Sequence, residues 1–318
     1  MHRVRITVMG IFVADLSFRT SRLPKWGETV LGNGFRLGPG GKGSNQSVAA
    51  ARLGGSVNFI SKIGNDPFGE LARKVHDEAG VNLEYLFTAS EEATGAAAII
   101  VDQASGENAI VVAPGAANAL TRSDIDSARK DIAGSACFMT QFELPLPQVE
   151  HALRLARSLD VPTILNPAPA CACTDDLLGL CDYVTPNESE ASILTGMPVG
   201  TMAQIERAAA ALLQRGPRHV ILTLGARGAF VLGPGIAEHV EAFQAGTVVD
   251  TTGAGDAFNG GFAVGLAEGM SVVEATRFGC AAAGLSVTRP GTAASMPHRE
   301  EVDRLYRGLN LAGSTLGD

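Results

Sequence analysis

The sequence predicts an α/β fold: a mostly parallel sheet with helices on both faces and a smaller second β-sheet beside it. Three observations predict this. Apolar, β-branched runs of strand length alternate with helical patterns, the mark of parallel strands joined by helical crossovers. Hydrophobic residues make up 46% of the 318-residue chain, enough for a full core. Two segments break the alternation and offer no helix, so they suggest an accessory sheet.

The strand-like runs fall at 4–13, 57–64, 136–143, 161–166, 181–187 and 219–225. Between them, 43–54, 68–80, 146–160 and 202–216 carry helical patterns. The interrupting segments span about 14–37, polar and turn-rich, and 94–113, two short strands around "DQASGEN". Sites in open α/β sheets lie at the C-terminal ends of the strands. A flap beside that edge acts as a lid.

The formal charge is −8, with three Tyr and one Trp. An acidic chain poor in aromatics makes a poor nucleic-acid surface, because neutralising phosphates needs clustered Lys and Arg. Bound anions must be handled by local geometry. No apolar run approaches the roughly 18 residues of a membrane span. The opening "MHRVRITVMGIFVADLSF" weighs a signal peptide against a buried first strand; Asp15 interrupts it, favouring the strand. Five cysteines, an odd number, do not resemble a disulfide framework, and Cys171 and Cys173 form C-x-C without a nearby His. A cytoplasmic location is expected.

Three glycine-rich signals carry the chemistry. In "GPGGKGSNQSVAAARLGG", Gly38, Gly40 and Gly43 satisfy G-x-G-x-x-G, which raises a nicotinamide-dependent oxidoreductase as an alternative. That fingerprint belongs directly after the first strand, and here a long polar stretch intervenes. The close-approaching backbone, Lys42 and Asn45 suit a hydroxyl-rich ligand. In "TPNESEASILTG", Asn187 and Glu190 follow a strand and open a helix. They either cap that helix or hold a hydrated divalent ion. In "DTTGAGDAFN", Gly253, Ala254 and Gly255 turn backbone N–H groups inward at a helix start, forming an anion hole. Asp256 beside a held anion makes sense as the base that activates an attacking alcohol. The bland alternative is an Asp that merely caps the helix.

"GPGGKGSNQSVAAARLG" and "DTTGAGDAFNGGF" resemble the two signatures of the PfkB-type carbohydrate kinases, and the chain is similar within them to the ribokinases. "QFELPLPQV", "LNPAPA", "TLGARG" and "TRPGTAASMP" support this resemblance. It implies one kinase domain over 1–318, a three-layer α/β/α fold with a β lid, and a homodimer clasped through that lid. It implies Asp256 as catalytic base and Gly253, Ala254 and Gly255 as anion hole. Sugar contacts would come from Val13, Asp15, Gly41, Lys42, Gly43, Asn45, Glu143 and Asp256. The ATP site would be lined by Asn187, Thr223, Gly225, Gly228, Gly255 and Cys280, with Glu190 near Mg²⁺. A monovalent cation, K⁺, would sit at Asp250, Thr252, Ser286, Arg289, Gly291 and Ser295, several acting through backbone oxygens.

Three positions depart from the family pattern. Ile11 and Val13 stand where Ser and Asn are usual, and valine cannot replace the amide's hydrogen bonds. Cys280 replaces a histidine often found near the adenine. The expected reaction is phosphoryl transfer from MgATP to a primary hydroxyl of D-ribose. Another pentose, deoxyribose, a ketohexose or a nucleoside are the alternatives, and a catalytically silent sugar-binding regulator is a further one.

Overall fold

The computed structural model describes residues 4–104 and 107–308. Strand β1 (Arg5–Met9) is buried from Ile6 onward. The chain then leaves the main sheet, and β2 (Val13–Thr20) and β3 (Gly34–Gly40) pair antiparallel in a second one. This corrects the expectation of one strand over 4–13. The break falls at Gly10, where a Cβ would lie 2.7 Å from Gly43 Cα. The two backbones touch there, which only glycine at both positions allows.

Helix α1 (Lys42–Arg52) follows directly, and β4 (Ser56–Ile63) returns parallel to β1. Helix α2 (Pro67–Glu78) starts at Asp66, whose carboxylate accepts the Gly69 N–H at 2.9 Å. Strand β5 (Leu86–Thr88) closes that edge. Strands β6 (Thr94–Asp102) and β7 (Asn108–Gly115) belong to the second sheet, ordered β3-β2-β6-β7. The accessory sheet expected from 14–37 and 94–113 is therefore observed, its first part running from Val13 to Gly40. Residues 105–106, within the expected "DQASGEN" connection, lie outside the described residues.

Helices α3 (Arg122–Ser127) and α4 (Arg129–Ala133) precede β8 (Cys137–Gln141), which pairs parallel with β1. Then come α5 (Leu146–Ser158), β9 (Thr163–Asn166), α6 (Asp175–Leu178) and β10 (Tyr183–Val184). Helices α7 (Glu188–Thr195) and α8 (Met202–Gln214) lead to β11 (His219–Thr223). A hairpin of β12 (Ala229–Gly233) and β13 (Ile236–Val240) adds two antiparallel strands. The chain closes with α9 (Ala254–Ala267), α10 (Val272–Ser286) and α11 (Arg299–Tyr306). The main sheet runs β13-β12-β11-β10-β9-β8-β1-β4-β5 and is parallel except at the hairpin.

Successive strand residues feed opposite cores, as the two-residue period requires. Ile6, Val8 and Met139 pack with α1, α9 and α10 on one face. Met9, Phe138 and Leu165 pack with α3 and α5 on the other. The result is three layers. No helix among the described residues is long and apolar enough to cross a membrane.

Candidate active site

The groups singled out in the sequence converge where the parallel strands end. Gln141 ends β8, Asn166 ends β9, Thr185 follows β10 and Thr223 ends β11. The N-termini of α1, α7 and α9 point to the same edge. A polar cleft of about 150 Å³ lies among them, lined by Lys42, Asn187, Glu190, Thr223, Gly255 and Asp256. A larger cavity of about 530 Å³ separates the lid from the 249–252 and 290–294 loops, with Asp15, Gly38 and Asp250 in its wall.

Asp256 is buried in the first turn of α9, where the helix dipole favours a carboxylate. Its Oδ2 accepts from Asn45 Nδ2 at 2.9 Å and its Oδ1 from Gln46 Nε2 at 3.0 Å. Burial pushes its pKa up; the Lys42 ammonium and the two amides oppose that. Lys42 is desolvated, yet Asp256, Glu143 and Glu190 outweigh burial and raise its pKa, so it stays charged. Glu143 Oε2 accepts the Lys42 backbone N–H at 2.7 Å. Burial raises Glu143 to about 7, with Lys42 pulling down and Asp256 and Asp15 pushing up. Asp15 is raised to about 6 by burial and then by Asp256. One ammonium thus serves three carboxylates, Asp256, Glu143 and Glu190.

Gly253 starts α9 in the left-handed region, φ 80° and ψ 1°. That conformation suits glycine, and Gly253 and Gly255 both line the cleft. The Ala254 N–H is already engaged, donating to Thr251 O at 3.2 Å. The expected three-residue anion hole is therefore incomplete in this state at Ala254. The Gly255 carbonyl is held by Asn259 Nδ2 at 2.8 Å, and Asn259 Oδ1 accepts from Thr185 at 2.6 Å.

Asn187 and Glu190 form a reciprocal capping box at the start of α7. Glu190 takes the Asn187 N–H on one oxygen at 2.8 Å and Asn187 Nδ2 on the other at 2.9 Å. Both readings of this pair are compatible, since each Glu190 oxygen accepts one hydrogen bond here and the residue lines the cleft. Mg²⁺ bound through water fits that donor set. Among the described residues there is no cluster of three or more His, Cys, Asp or Glu side chains suited to a metal.

Asp250 ties two loops, accepting from the Thr252 N–H and the Gly291 N–H, each at 2.9 Å. The Ser286 and Ser295 hydroxyls donate to Ala283 O and Thr292 O, and Arg289 pairs with Glu301. These three side chains are therefore engaged elsewhere. The two hydroxyl oxygens keep lone pairs for a cation, whereas Arg289, whose side chain only donates, can offer one only its backbone oxygen.

Some expected residues sit apart. Val13 is 3% exposed and packs with Ile11, Ala97 and Phe142. Cys280 is buried in the apolar core of α10 and lines neither cavity. Gly225 and Gly228 bracket the turn between β11 and β12, and Gly41 precedes α1. Gly38 and Gly40 lie in strand β3, so the G-x-G-x-x-G match is no dinucleotide turn. Sequence reasoning missed Gln46, Gln141, Asn166, Thr185 and Asn259, the buried amides and hydroxyl around Asp256. Gln46 lay in plain view within "GKGSNQS", one residue from Asn45.

A family model for pfkB family carbohydrate kinases matches residues 4–299. The chain belongs to the PfkB carbohydrate kinase family. It is 43% identical over 299 residues to a ribokinase of Haemophilus influenzae, covering 94% of this chain and 97% of that one. It is 37% identical over 306 residues to a deoxyribokinase of Salmonella typhimurium, covering 96% and 99%. Among solved structures, an Arabidopsis thaliana ribokinase complexed with ribose and ATP superposes with a TM-score of 0.89 at 33% identity, covering 96% and 99%. Its activity is that of an ATP-dependent sugar kinase, a phosphotransferase with an alcohol acceptor.

Proposed function

We propose that this kinase transfers the γ-phosphoryl group of MgATP to the primary hydroxyl of D-ribose, giving D-ribose 5-phosphate. The observation that carries the reading is the position of Asp256. Asp256 lines the cleft beside α7 and β11, and it is close enough to Asp15, which lines the cavity under the lid, to push that carboxyl's pKa up. A phosphoryl donor on one side and an alcohol on the other would meet at its carboxylate. Asp256 accepts the alcohol proton as the oxygen attacks. The Gly253 and Gly255 N–H groups and Lys42 stabilise charge on the transferring group. Asp15, Asn45 and Glu143 hold the sugar hydroxyls. Asn187 and Glu190 would hold Mg²⁺, which when bound would neutralise phosphate charge. Backbone oxygens near Asp250 and Gly291 would hold K⁺, which when bound would order the loop that precedes the anion hole.

Deoxyribose is a second reading, and Val13 favours it. Val13 stands where the family pattern has an amide, two residues before Asp15 on β2, and would offer a sugar hydroxyl directed to it no partner. The lid also supports a homodimer. Ile110, Val111 and Val112 of β7 are all exposed, so apolar groups face solvent on both sides of an edge strand. Such edges demand cover.

The test is a coupled ADP-release assay over pentoses, deoxypentoses, hexoses and nucleosides, with and without K⁺. Ribose should give the highest kcat/KM. Release of ADP with a nucleoside or hexose alone would overturn the pentose assignment.

A further inference from the structure

The buried amides around Asp256 form one connected chain. Gln46 Nε2 donates to Asp256 Oδ1 at 3.0 Å and to Asn166 Oδ1 at 3.1 Å, using both of its protons. Gln46 Oε1 accepts from Gln141 Nε2 at 2.6 Å. Asn166 Nδ2 donates onward to Thr185 O at 3.0 Å. Gln46 is fully buried and Gln141 nearly so. Hydrogen bonds to a charged acceptor in such surroundings are strong, and a donor left unpaired is costly.

The orientation of Gln46 is set from three sides. Rotating its amide would bring Oε1 against two acceptors, on Asp256 and Asn166, and its NH₂ against the NH₂ of Gln141. Gln141 itself is seated by the glycine contact described above: a Cβ at Gly10 would lie 2.4 Å from Gln141 Oε1, and one at Gly43 2.9 Å from it. The glycines of the first signature therefore do more than let a ligand approach. They make room for the amide that orients Gln46.

We propose that Gln46, locked by Gln141 and Asn166, is the positioning residue that holds the Asp256 carboxylate in its proton-accepting orientation. This rests on the reading of Asp256 as the base. Gln46 acts through Asp256; Asn45 holds the other oxygen. The charged groups facing Asp256 are Lys42 from α1, Glu143 beyond β8, Asp15 from β2 and Glu190 from α7. Losing the Gln46 donor leaves them unchanged and removes one hydrogen bond that favours the charged carboxylate.

Two variants test it against Asp256→Asn. Gln46→Met keeps the volume and deletes the donor. It should lower kcat roughly 10- to 100-fold, the worth of one hydrogen bond to a charged group. The acid limb of its kcat profile should rise by about one pH unit, with KM for MgATP within about twofold of wild type. Gln46→Glu places a carboxyl that donates only while protonated. It should recover turnover over Gln46→Met at low pH and lose it as the new carboxyl ionises, giving an alkaline limb absent from wild type. Wild-type kcat and an unmoved acid limb in Gln46→Met would overturn the proposal. So would a loss of turnover that Gln46→Glu does not recover at any pH, since that marks packing alone. Near-normal turnover in Asp256→Asn would instead remove the base reading itself.

Discussion

Glu143 accepts the backbone N–H of Lys42 at 2.7 Å, pinning the start of α1 to the chain beyond β8 across 101 residues of sequence. The same carboxyl is raised to about 7, chiefly by burial. The folded chain therefore holds a proton that the unfolded chain has released above the ordinary carboxylate range. The stability from that proton is complete below the ordinary value of 4.5 and is lost as pH rises through about 7. Glu143→Gln should accordingly be more stable than wild type by about 1–2 kcal/mol near pH 8, with the gap closing near pH 4.5. The figure is at the low end because the residue keeps some solvent contact. Urea midpoints at the two pH values check this, and sugar turnover should fall in the same variant. An equal midpoint difference at both pH values would show that Glu143 does not titrate as described.

K⁺ should raise kcat over Na⁺ at equal ionic strength. Asp250 ties the 250–252 segment to Gly291, and that segment runs straight into Gly253. A cation coordinated by the nearby backbone oxygens would stiffen the turn whose N–H groups face the phosphoryl group. Rates in K⁺, Na⁺ and a bulky organic cation are the measurement. Identical rates in all three would remove the cation from the mechanism.

Val13→Asn should shift relative kcat/KM toward ribose and away from 2-deoxyribose. Val13 lies two residues before Asp15 on β2 and has no polar group, so a sugar hydroxyl directed to it would be unpaired, at about 1–3 kcal/mol. The ratio of kcat/KM for the two sugars, wild type against variant, reads this directly; the expected change is roughly 5- to 150-fold. An unchanged ratio would mean that Val13 does not shape the pocket.

Much of the fold was legible because long crossovers print their period on the sequence. The four helices expected at 43–54, 68–80, 146–160 and 202–216 are observed with shifts of one or two residues. Helices α9 and α10 were not read as a pair, because glycine hides helical pattern. Gly260 is there for contact: a Cβ would lie 2.5 Å from Ala49 Cβ of α1. The β12–β13 hairpin was also missed, since His239 and Glu238 give it little apolar pattern. The ionisable and glycine residues of the site announced themselves by chemistry. Gln46 and Gln141 did not, because a glutamine reveals its role only through partners that lie 95 residues apart in the chain.

The central claim, that Asp256 activates a primary alcohol to attack ATP, is tested most directly by product analysis paired with one substitution. Incubated with MgATP and ribose, the wild-type protein should yield ADP and a phosphomonoester whose ³¹P resonance is split by two methylene protons, placing the phosphate on the primary carbon. Asp256→Asn should form the same product with kcat lower by roughly 10²–10⁴ while MgATP binding stays nearly intact, as expected for a lost general base. A phosphate on another carbon, or near-wild-type turnover in Asp256→Asn, would contradict the account.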